Sequence, residues 1–575
     1  MMRRIFCDIL VVGGGGAGAM AAYEATKHKV KVVLVTKGKI QRSGCTIMAP
    51  GAIAGVDKNW SIPGDSLELH IRDTLQGGSY LNEQNLVKKV IQESPKVILE
   101  MESIGALWQR KEDGIQYDLR SGGGHTFPRS VFLEDRTGKE LMRALVGELR
   151  GRNVQIIENV MILRLLHDGN DIVGAIGINL TNLELILFES NTVILATGGA
   201  GNVYENTDNP IDITGDGYAL AYQEGLPLMD MEFVQFYPIA FLDPPSLKGE
   251  LAGLIDYSRL LNSHKERFMY RYDPERLENS TRDRVTRAIF QEILEGRGTA
   301  NGGVYCDLTF HETGFIRKAT PALNKTYKQI NIDPEKDLFE IAPTCHFFMG
   351  GLVVNEDWQT GMNGLFAVGE VCTGVHGTNR LSQNALAEIL VSGKYAGMRA
   401  AEASKGQKEK RIHPKEILQD EEIIKIILKS NGGIAKPPKF GIHSLEKRLK
   451  KIMWCNAGIL RTKKKLLGAL DEIESLQEDL KKVSIHRHYY PNWELLKYLE
   501  TKNLLLVSRM IILSSLERKE SRGAHYREDY PEKNDYEWLK HILITKKNNQ
   551  ANISYKAVDQ SLEINKGNEN EKGNC

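Results

Sequence analysis

Cysteine is scarce in this chain, and its cysteines stand apart from one another. No two of them form a C-x-x-C pair, the spacing that many zinc and iron–sulfur sites use. This absence argues against a disulfide framework and against a metal site within the chain. We therefore expect isolated reduced thiols, so that a one-electron carrier would have to belong to another protein of a complex. The cysteines are Cys7, Cys45, Cys306, Cys345, Cys372, Cys455 and Cys575.

The chain also lacks an excess of charge and any long apolar run. Lys and Arg number 75 against 74 Asp and Glu, which gives no reason to expect nucleic acid as a partner. No segment approaches the roughly eighteen apolar residues of a transmembrane helix. Arg3-Arg4 precedes a strand and a glycine loop instead of an apolar signal core. We expect a mature N-terminus and a cytoplasmic protein, with any membrane association supplied by partner subunits.

What the chain does have is length and a nucleotide-binding pattern at its start. Its 575 residues predict about two to four domains. Residues 5–12 predict a buried parallel strand, Ala17–Lys27 a helix and Val30–Val35 a second strand. Together they predict a βαβ unit at the extreme N-terminus.

The turn of this unit carries Gly13-x-Gly15-x-x-Gly18. Gly13 permits the tight turn, Gly15 lets the backbone approach a pyrophosphate, and Gly18 lets the helix pack closely on the strand. The amides at the helix N-terminus then face the phosphate charge. The pattern therefore predicts a dinucleotide site.

The second strand ends in Thr36-Lys37 and not in the acidic residue that commonly holds the ribose of NAD. A hydroxyl and an ammonium would then meet the ribose or phosphate, which disfavours a plain NAD site. The alternative is that Thr36 and Lys37 form a surface turn.

Further strands come from distant parts of the chain. Thr192–Gly201 and Gly364–Glu370 both read as an apolar strand that ends in a glycine turn. We expect one sheet assembled from separated segments, with an insertion at about 230–346 that contains a helix at Arg282–Glu295. Leu445–Val483 predicts two antiparallel helices, and the tail after about 546 is polar and predicted to be partly disordered.

Several motifs together resemble the flavoprotein subunits of the succinate dehydrogenase/fumarate reductase family, which includes L-aspartate oxidase and the adenylylsulfate reductase flavoprotein. They follow the family's order over about residues 8–540 and are Val12-Gly-Gly-Gly-Gly-Ala-Gly18, Arg42-Ser-Gly, Asp135-Arg-Thr-Gly138, Ala196-Thr-Gly-Gly199, Thr214-Gly-Asp-Gly-Tyr218, Met231-Glu-Phe-Val-Gln235, Thr281-Arg-Asp283, Cys345-His-Phe-Phe-Met-Gly-Gly351, Gly369-Glu370, His376-Gly-Thr-Asn-Arg-Leu381 and Ser521-Arg-Gly-Ala-His-Tyr-Arg-Glu-Asp-Tyr530.

The resemblance implies an α/β fold: a Rossmann-like FAD-binding domain split by an inserted α+β capping domain and followed by a C-terminal helical domain. The implied ranges are 1–229 and 347–405 for the FAD-binding domain, 230–346 for the capping domain, 415–545 for the helical domain and 546–575 for the tail.

The resemblance also implies where FAD lies. The family's covalent attachment is made by a His after Arg-Ser, whereas this chain has Gly44-Cys45 there, so we expect noncovalent FAD. The residues expected to bind it are Gly13, Gly15, Gly16, Ala17, Gly18, Thr36, Lys37, Ser43, Gly44, Asp216, Glu370, Arg380 and Ser382.

On the substrate side, Arg282 matches the family's proton-donating arginine. Asp256 and Arg259 keep the spacing of the family's Glu and Arg proton relay, but Asp replaces Glu and the neighbouring glycine-rich stretch is shortened. The alternative for Asp256 and Arg259 is an ordinary surface ion pair.

His346 and Arg380 match two residues that bind one substrate carboxylate. Tyr237 replaces the family's His at the second carboxylate, and Ile255 replaces a Thr there. A compact dicarboxylate would then be held at one end only. We therefore favour a substrate with an apolar or neutral group at the Tyr237 end over weak binding of fumarate or succinate.

The leading hypothesis is the flavoprotein subunit of a fumarate-reductase-like complex. It would transfer hydride between flavin and the C=C or CH–CH of a carboxylic acid, and exchange electrons with an iron–sulfur subunit. The alternatives are a self-contained oxidase like L-aspartate oxidase and a catalytically silent electron-relay subunit. Retained Arg282, His346 and Arg380 argue against the silent subunit, which would need no carboxylate site.

Overall fold

The computed structural model describes residues 2–152, 154–253, 255–405, 441–483, 485 and 492–559, without the side chains of residues 256 and 322. In this part of the chain, no helix combines the length and apolar character needed to cross a membrane.

A parallel five-stranded sheet forms the centre of the molecule. Its strands come from four distant segments, which confirms the prediction of a sheet assembled from separated parts of the chain. The strands have few polar side chains because both faces are covered, as parallel sheets require. In spatial order they are Leu365–Ala367, Val193–Leu195, Ile9–Val12, Val32–Thr36 and Gln155–Glu158.

Helices Gly16–Thr26 and Asn384–Ser404 cross in very close contact against this sheet. A Cβ on Gly397 would lie 2.4 Å from the carbonyl oxygen of Ala21, so the backbones can meet only because a side chain is missing. This contact positions the loop before Asn384 over the N-terminal glycine turn.

The prediction of one strand over residues 5–12 is wrong. Arg3–Phe6 pairs with Leu185–Glu189 in a second sheet, and only Ile9–Val12 joins the central sheet. Between them, the Asp8 carboxylate accepts a hydrogen bond from the Lys31 amide at 2.6 Å. This local bond turns the chain from one sheet into the other, which an apolar run does not reveal. The second sheet has the order Arg3–Phe6, Leu185–Glu189, Asp171–Asn179 and Val160–Asp168.

A separate antiparallel sheet and the helix Arg282–Leu294 form a unit that we call the cap. Its strands are, in spatial order, Val234–Phe241, Phe339–Phe348, Val304–Asp307 and Arg259–Leu261. The outer parts of its two longest strands, with Ile239 and Ile341, lie in a hydrophobic core of the cap. The inner parts, with Phe236 and Cys345, lie in the main core. The two cores therefore meet along these strands.

Helices dominate the C-terminal part. Helices Ile442–Asn456 and Lys463–Lys481 occupy the stretch predicted to hold two helices, and the long helix Trp493–Glu517 follows. A small sheet then brings the chain's end back to the centre, in the order Gly351–Leu352, Leu228–Met229, Lys540–Lys547 and Gln550–Ala557.

The predicted domain boundaries at 346 and 545 fall inside the strands Phe339–Phe348 and Lys540–Lys547. The strand Gln550–Ala557 also occupies part of the predicted tail, because its residues pair with Lys540–Lys547 despite their polar character. Residues 415–440 and 560–575 lie outside the described residues. The division into domains stays a prediction.

Shorter elements complete the fold. The remaining helices are Cys45–Met48, Leu67–Gly77, Gln84–Ser103, Thr137–Gly151, Asp216–Gln223, Met269–Tyr272, Phe315–Ala319, Pro321–Gln329 and Asp535–Trp538; the 3-10 turns are Gly201–Val203, Pro245–Leu247, Ile255–Tyr257, Leu277–Asn279 and Gly369–Val371; and Ile53–Ala54 pairs with Ser130–Val131.

A buried group of charges fastens the C-terminal segment to the start of the cap. Arg518 is fully buried and donates from Nε to Glu232 Oε1 at 2.5 Å. Its other nitrogens reach Glu520 at 3.2 Å and Asp230 at 3.4 Å. The carboxylates offset the cost of burying the guanidinium, and the guanidinium offsets theirs.

We expect Arg518→Met to destabilise the protein by about 3–5 kcal/mol, because Glu232 and Asp230 would remain buried without their cation. The matched control is Arg509→Met, whose partly exposed side chain lies 3.8 Å from Glu474 and should contribute less than about 1 kcal/mol. Urea unfolding followed by circular dichroism measures both. Equally small losses of unfolding free energy in both variants would contradict a stabilising role for the buried charges around Arg518.

Candidate active site

The three glycines of the N-terminal turn have different surroundings. Gly13 has φ +116°, and a Cβ there would lie 2.1 Å from the carbonyl oxygen of Ala196. A Cβ on Gly18 would lie 2.0 Å from the carbonyl oxygen of Gly13. These two glycines therefore serve the packing of strand, turn and helix.

Gly15 differs, since the chain itself does not require a glycine there. Its φ of −73° suits any residue, and a Cβ would meet only Thr46 Oγ1, at 3.9 Å. The helix begins at Gly16 without a side-chain cap, and Ala17 and Gly18 follow in its first turn. The Gly16 amide donates to Thr46 Oγ1 at 3.1 Å. The open space at Gly15 and the other amides of the first turn suit a pyrophosphate, so these residues fit FAD.

Lys37 lies at the end of the neighbouring strand and is not a surface residue. Its ammonium lies 2.9 Å from both Asp216 and Glu500 and donates to Thr214 Oγ1 at 2.6 Å. Burial lowers the pKa of Lys37, but the two carboxylates outweigh burial and hold it above its usual value. The surface-turn alternative is therefore wrong for Lys37, whose charge is already matched by protein groups.

The other predicted FAD residues surround this turn. Thr36 is buried and lies against Gly14, and Asp216 begins the helix Asp216–Gln223. Ser43 Oγ accepts from the Lys39 amide at 2.7 Å. Gly44, at φ +84°, precedes the helix Cys45–Met48.

Glu370 and Arg380 bring buried charge to the other side of the site. Glu370 Oε1 accepts from the Phe348 amide at 3.0 Å, and burial raises the pKa of Glu370 to about 8. Burial lowers the pKa of Arg380 to about 10, against the opposing effects of Glu370 and Asp208. Among the described residues, Arg380 Nε is buried and has no hydrogen-bond partner.

Tyr237 lies close to three other predicted site residues, His346, Arg282 and Arg380. Its ring is 5.6 Å from the ring of His346 and 5.8 Å from the guanidinium carbon of Arg282. It also interacts electrostatically with Arg380. Tyr237 and His346 come from adjacent cap strands, Arg282 begins the cap helix, and Arg380 comes from the loop before Asn384. The structure thus brings together four residues that are up to 143 positions apart, from Tyr237 to Arg380.

The predicted relay is only partly described. The guanidinium of Arg259 stacks 3.9 Å from the Phe310 ring centre, and the side chain of Asp256 lies outside the described residues. Ile255 is 1% exposed and packs within the cap core, against which Tyr237 also packs. The places of Asp256, Arg259 and Ile255 in the site stay predictions.

Sequence reasoning missed two acids near His346. Asp208 Oδ2 lies 2.5 Å from His346 Nδ1. Partial burial raises the pKa of Glu250, and the Asp208 carboxylate raises it further. Both acids stand in irregular loops where spacing carries no signal; only the resemblance of the flanking motifs could have drawn attention to them.

A run of three glycines forms another missed wall of the site. A Cβ on Gly123 would lie 3.5 Å from a guanidinium nitrogen of Arg282, and one on Gly124 2.8 Å from Leu381. The next residue, His125, lies with Nε2 2.6 Å from the carbonyl oxygen of Ser382, and burial lowers the pKa of His125 to about 4. In the sequence, the run of three glycines before His125 is the feature that could have pointed to this wall of the site.

Comparison with known proteins decides the family. The profile described as "FAD binding domain" matches residues 8–386, and "Fumarate reductase flavoprotein C-term" matches residues 446–569. One subunit of the fumarate reductase (CoM/CoB) of Methanothermobacter marburgensis is 40% identical over 549 residues, which cover 94% of this chain and 97% of that protein. The chain belongs to the succinate dehydrogenase/fumarate reductase flavoprotein family.

Other relatives agree. The succinate dehydrogenase flavoprotein subunit of Rickettsia bellii is 32% identical, with 93% of this chain and 92% of that protein covered. The FrdA protein of E. coli quinol fumarate reductase superposes with a TM-score of 0.89 at 30% identity, over 97% of each chain. The predicted family, α/β fold and FAD cofactor are confirmed: the protein is an FAD-dependent oxidoreductase of this family.

We expect Gly15→Ala to fold normally but to bind FAD at least about tenfold more weakly, because only a pyrophosphate would occupy the space that the methyl group takes. The control is Gly147→Ala, a helix position with no atom within 4 Å of the added Cβ. Circular dichroism checks the fold, and titration of flavin-free protein with FAD gives the affinity. Unchanged affinity in Gly15→Ala would exclude a phosphate at this glycine.

Proposed function

We propose that this chain is the flavoprotein subunit of a fumarate-reductase-like complex that reduces, or reversibly oxidises, an α,β-unsaturated carboxylic acid. The observation that carries the proposal is the convergence of Arg282, His346 and Arg380 around Tyr237. Cations grouped in this way suit a carboxylate and the charge that develops when it is reduced.

Each side chain has a separate task in this proposal. Bound FAD supplies the hydride or accepts it. Arg380 and His346 hold one carboxylate of the substrate, for which the planar guanidinium of Arg380 is suited. Arg282, at the start of the cap helix, delivers the proton to the adjacent carbon. The relay of Asp256 and Arg259 behind it stays a prediction.

The Tyr237 end of the pocket selects the substrate. A phenol offers one neutral hydroxyl, so a second carboxylate there would lack a cation to match it. We propose a substrate with one carboxylate at Arg380 and His346 and a neutral or apolar group toward Tyr237. Gly123 supports this, since it adds no side chain opposite Arg282.

The electron partner in this proposal is an iron–sulfur subunit. The sequence has no C-x-x-C pair, and within the described residues no group of His, Cys, Asp or Glu could hold a metal ion. The relative from Methanothermobacter marburgensis is itself named as one subunit of its enzyme. FAD is proposed to be noncovalent, because Gly44 and Cys45 follow Arg42-Ser43.

We expect the purified, FAD-loaded protein to oxidise reduced viologen dye when given an unsaturated acid, and Arg282→Gln to lower this turnover by at least about hundredfold. The matched control is Arg284→Gln on the same helix, an exposed arginine paired with Asp273. Fumarate, crotonate and cinnamate serve as substrates.

The same assay can contradict the proposal. Full activity in Arg282→Gln would show that Arg282 is not the proton donor. Rapid oxygen-dependent turnover with an amino acid, and none with unsaturated acids, would favour the self-contained oxidase.

We expect Tyr237→His to lower KM for fumarate by about tenfold while KM for crotonate changes little, because imidazole adds a donor that can carry charge at the far end. Steady-state assays with both acids measure the ratio. An equal change for both acids would show that Tyr237 does not select the distal group.

A further inference from the structure

Asp208 is a buried carboxylate that faces the substrate side of the site. It lies in the loop before the helix Asp216–Gln223, and its side chain is 7% exposed. Oδ2 lies 2.5 Å from His346 Nδ1, and Oδ1 accepts from Asn209 Nδ2 at 2.9 Å. Its backbone amide donates to the carbonyl oxygen of Cys345, next to His346, at 3.3 Å. The loop is thus tied to the strand that carries His346.

The charges around His346 are opposed in sign. On one side is Asp208, which also interacts with Glu250 and Glu370. On the other side is Tyr237, with Arg282 and Arg380 beyond it. These groups lie on the Asp208 loop, on both cap strands, on the cap helix and on the Arg380 loop.

The contact with Asp208 determines how the two ring nitrogens are used. An ionised carboxylate only accepts hydrogen bonds, so His346 carries a proton on Nδ1. Nε2 then points away from Asp208. To donate to a substrate carboxylate, Nε2 must also carry a proton.

We propose that Asp208 is a positioning residue: it orients His346 so that Nε2 faces the substrate for carboxylate binding. The substrate part of this inference rests on the function proposed above. Asp208 touches neither the substrate nor the reacting carbons; it acts through His346.

The first test is ligand binding by Asp208→Asn, which preserves size but removes the charge. Fumarate and crotonate are titrated onto the oxidised FAD-loaded protein between pH 6 and 8, with the flavin spectrum as the readout. We expect the Kd of the better ligand to rise by about tenfold or more, because the ring loses the charged partner that holds its orientation. In turnover, KM should rise more than kcat falls, and Asp208→Glu should restore part of the affinity.

The matched control is Glu205→Gln, which removes an exposed carboxylate from the same loop, 3.6 Å from Lys248. It should leave Kd unchanged at every pH. No loss of affinity in Asp208→Asn would overturn the proposal.

A second measurement does not depend on the substrate. Diethyl pyrocarbonate modifies neutral imidazole, and peptide mass spectrometry follows His346 alone. In Asp208→Asn, the rate of His346 labelling should rise by about threefold or more, because the weaker neutral hydrogen bond no longer holds the ring in one orientation. Identical labelling rates would overturn the proposal. If the wild-type protein binds none of the acids but the rate still rises, the proposed function fails and the Asp208–His346 coupling stands.

Discussion

The close approach of backbone at the N-terminal turn is the constraint on which the rest of the site depends. Gly13 and Gly18 remove the side chains that would separate strand, turn and helix, and Gly397 does the same between the two helices. The turn and the Arg380 loop are therefore held against the carboxyl ends of the same parallel strands, where ligands of such sheets bind. Without this contact, the buried charges of Glu370 and Arg380 would have no common site.

The buried cations of the site need a ligand or a neighbouring carboxylate to balance their charge. Burial weakens the preference of Arg380 for its charged form and of Glu370 for its own. Lys37 is already matched by Asp216 and Glu500, whereas one nitrogen of Arg380 has no hydrogen-bond partner in the described part of the chain. The cation near the nucleotide turn is thus matched by carboxylates, whereas Arg380 keeps a buried nitrogen without such a match.

The sequence predicted those parts of the fold and the site that depend on local residue patterns or on family motifs. The glycine spacing predicted the dinucleotide turn, and the motif order predicted the α/β fold and family. The break at Asp8 could not be predicted, because a single side-chain bond to Lys31 ends the strand inside an apolar run. The burial of Ile255 in the cap core could not be predicted, because spacing does not reveal which face of a shortened loop packs inward. Asp208 was missed because its contact with His346 is tertiary.

The two long cap strands have one further consequence. Their inner halves belong to the main core and their outer halves to the core of the cap. Tyr237 and His346 stand near this junction, while Arg282 belongs to the cap helix. If the cap turns about these strands, the pair near the pivot moves little and Arg282 travels further. In the proposed function, binding of the acid by His346 would then depend less on the position of the cap than its protonation by Arg282.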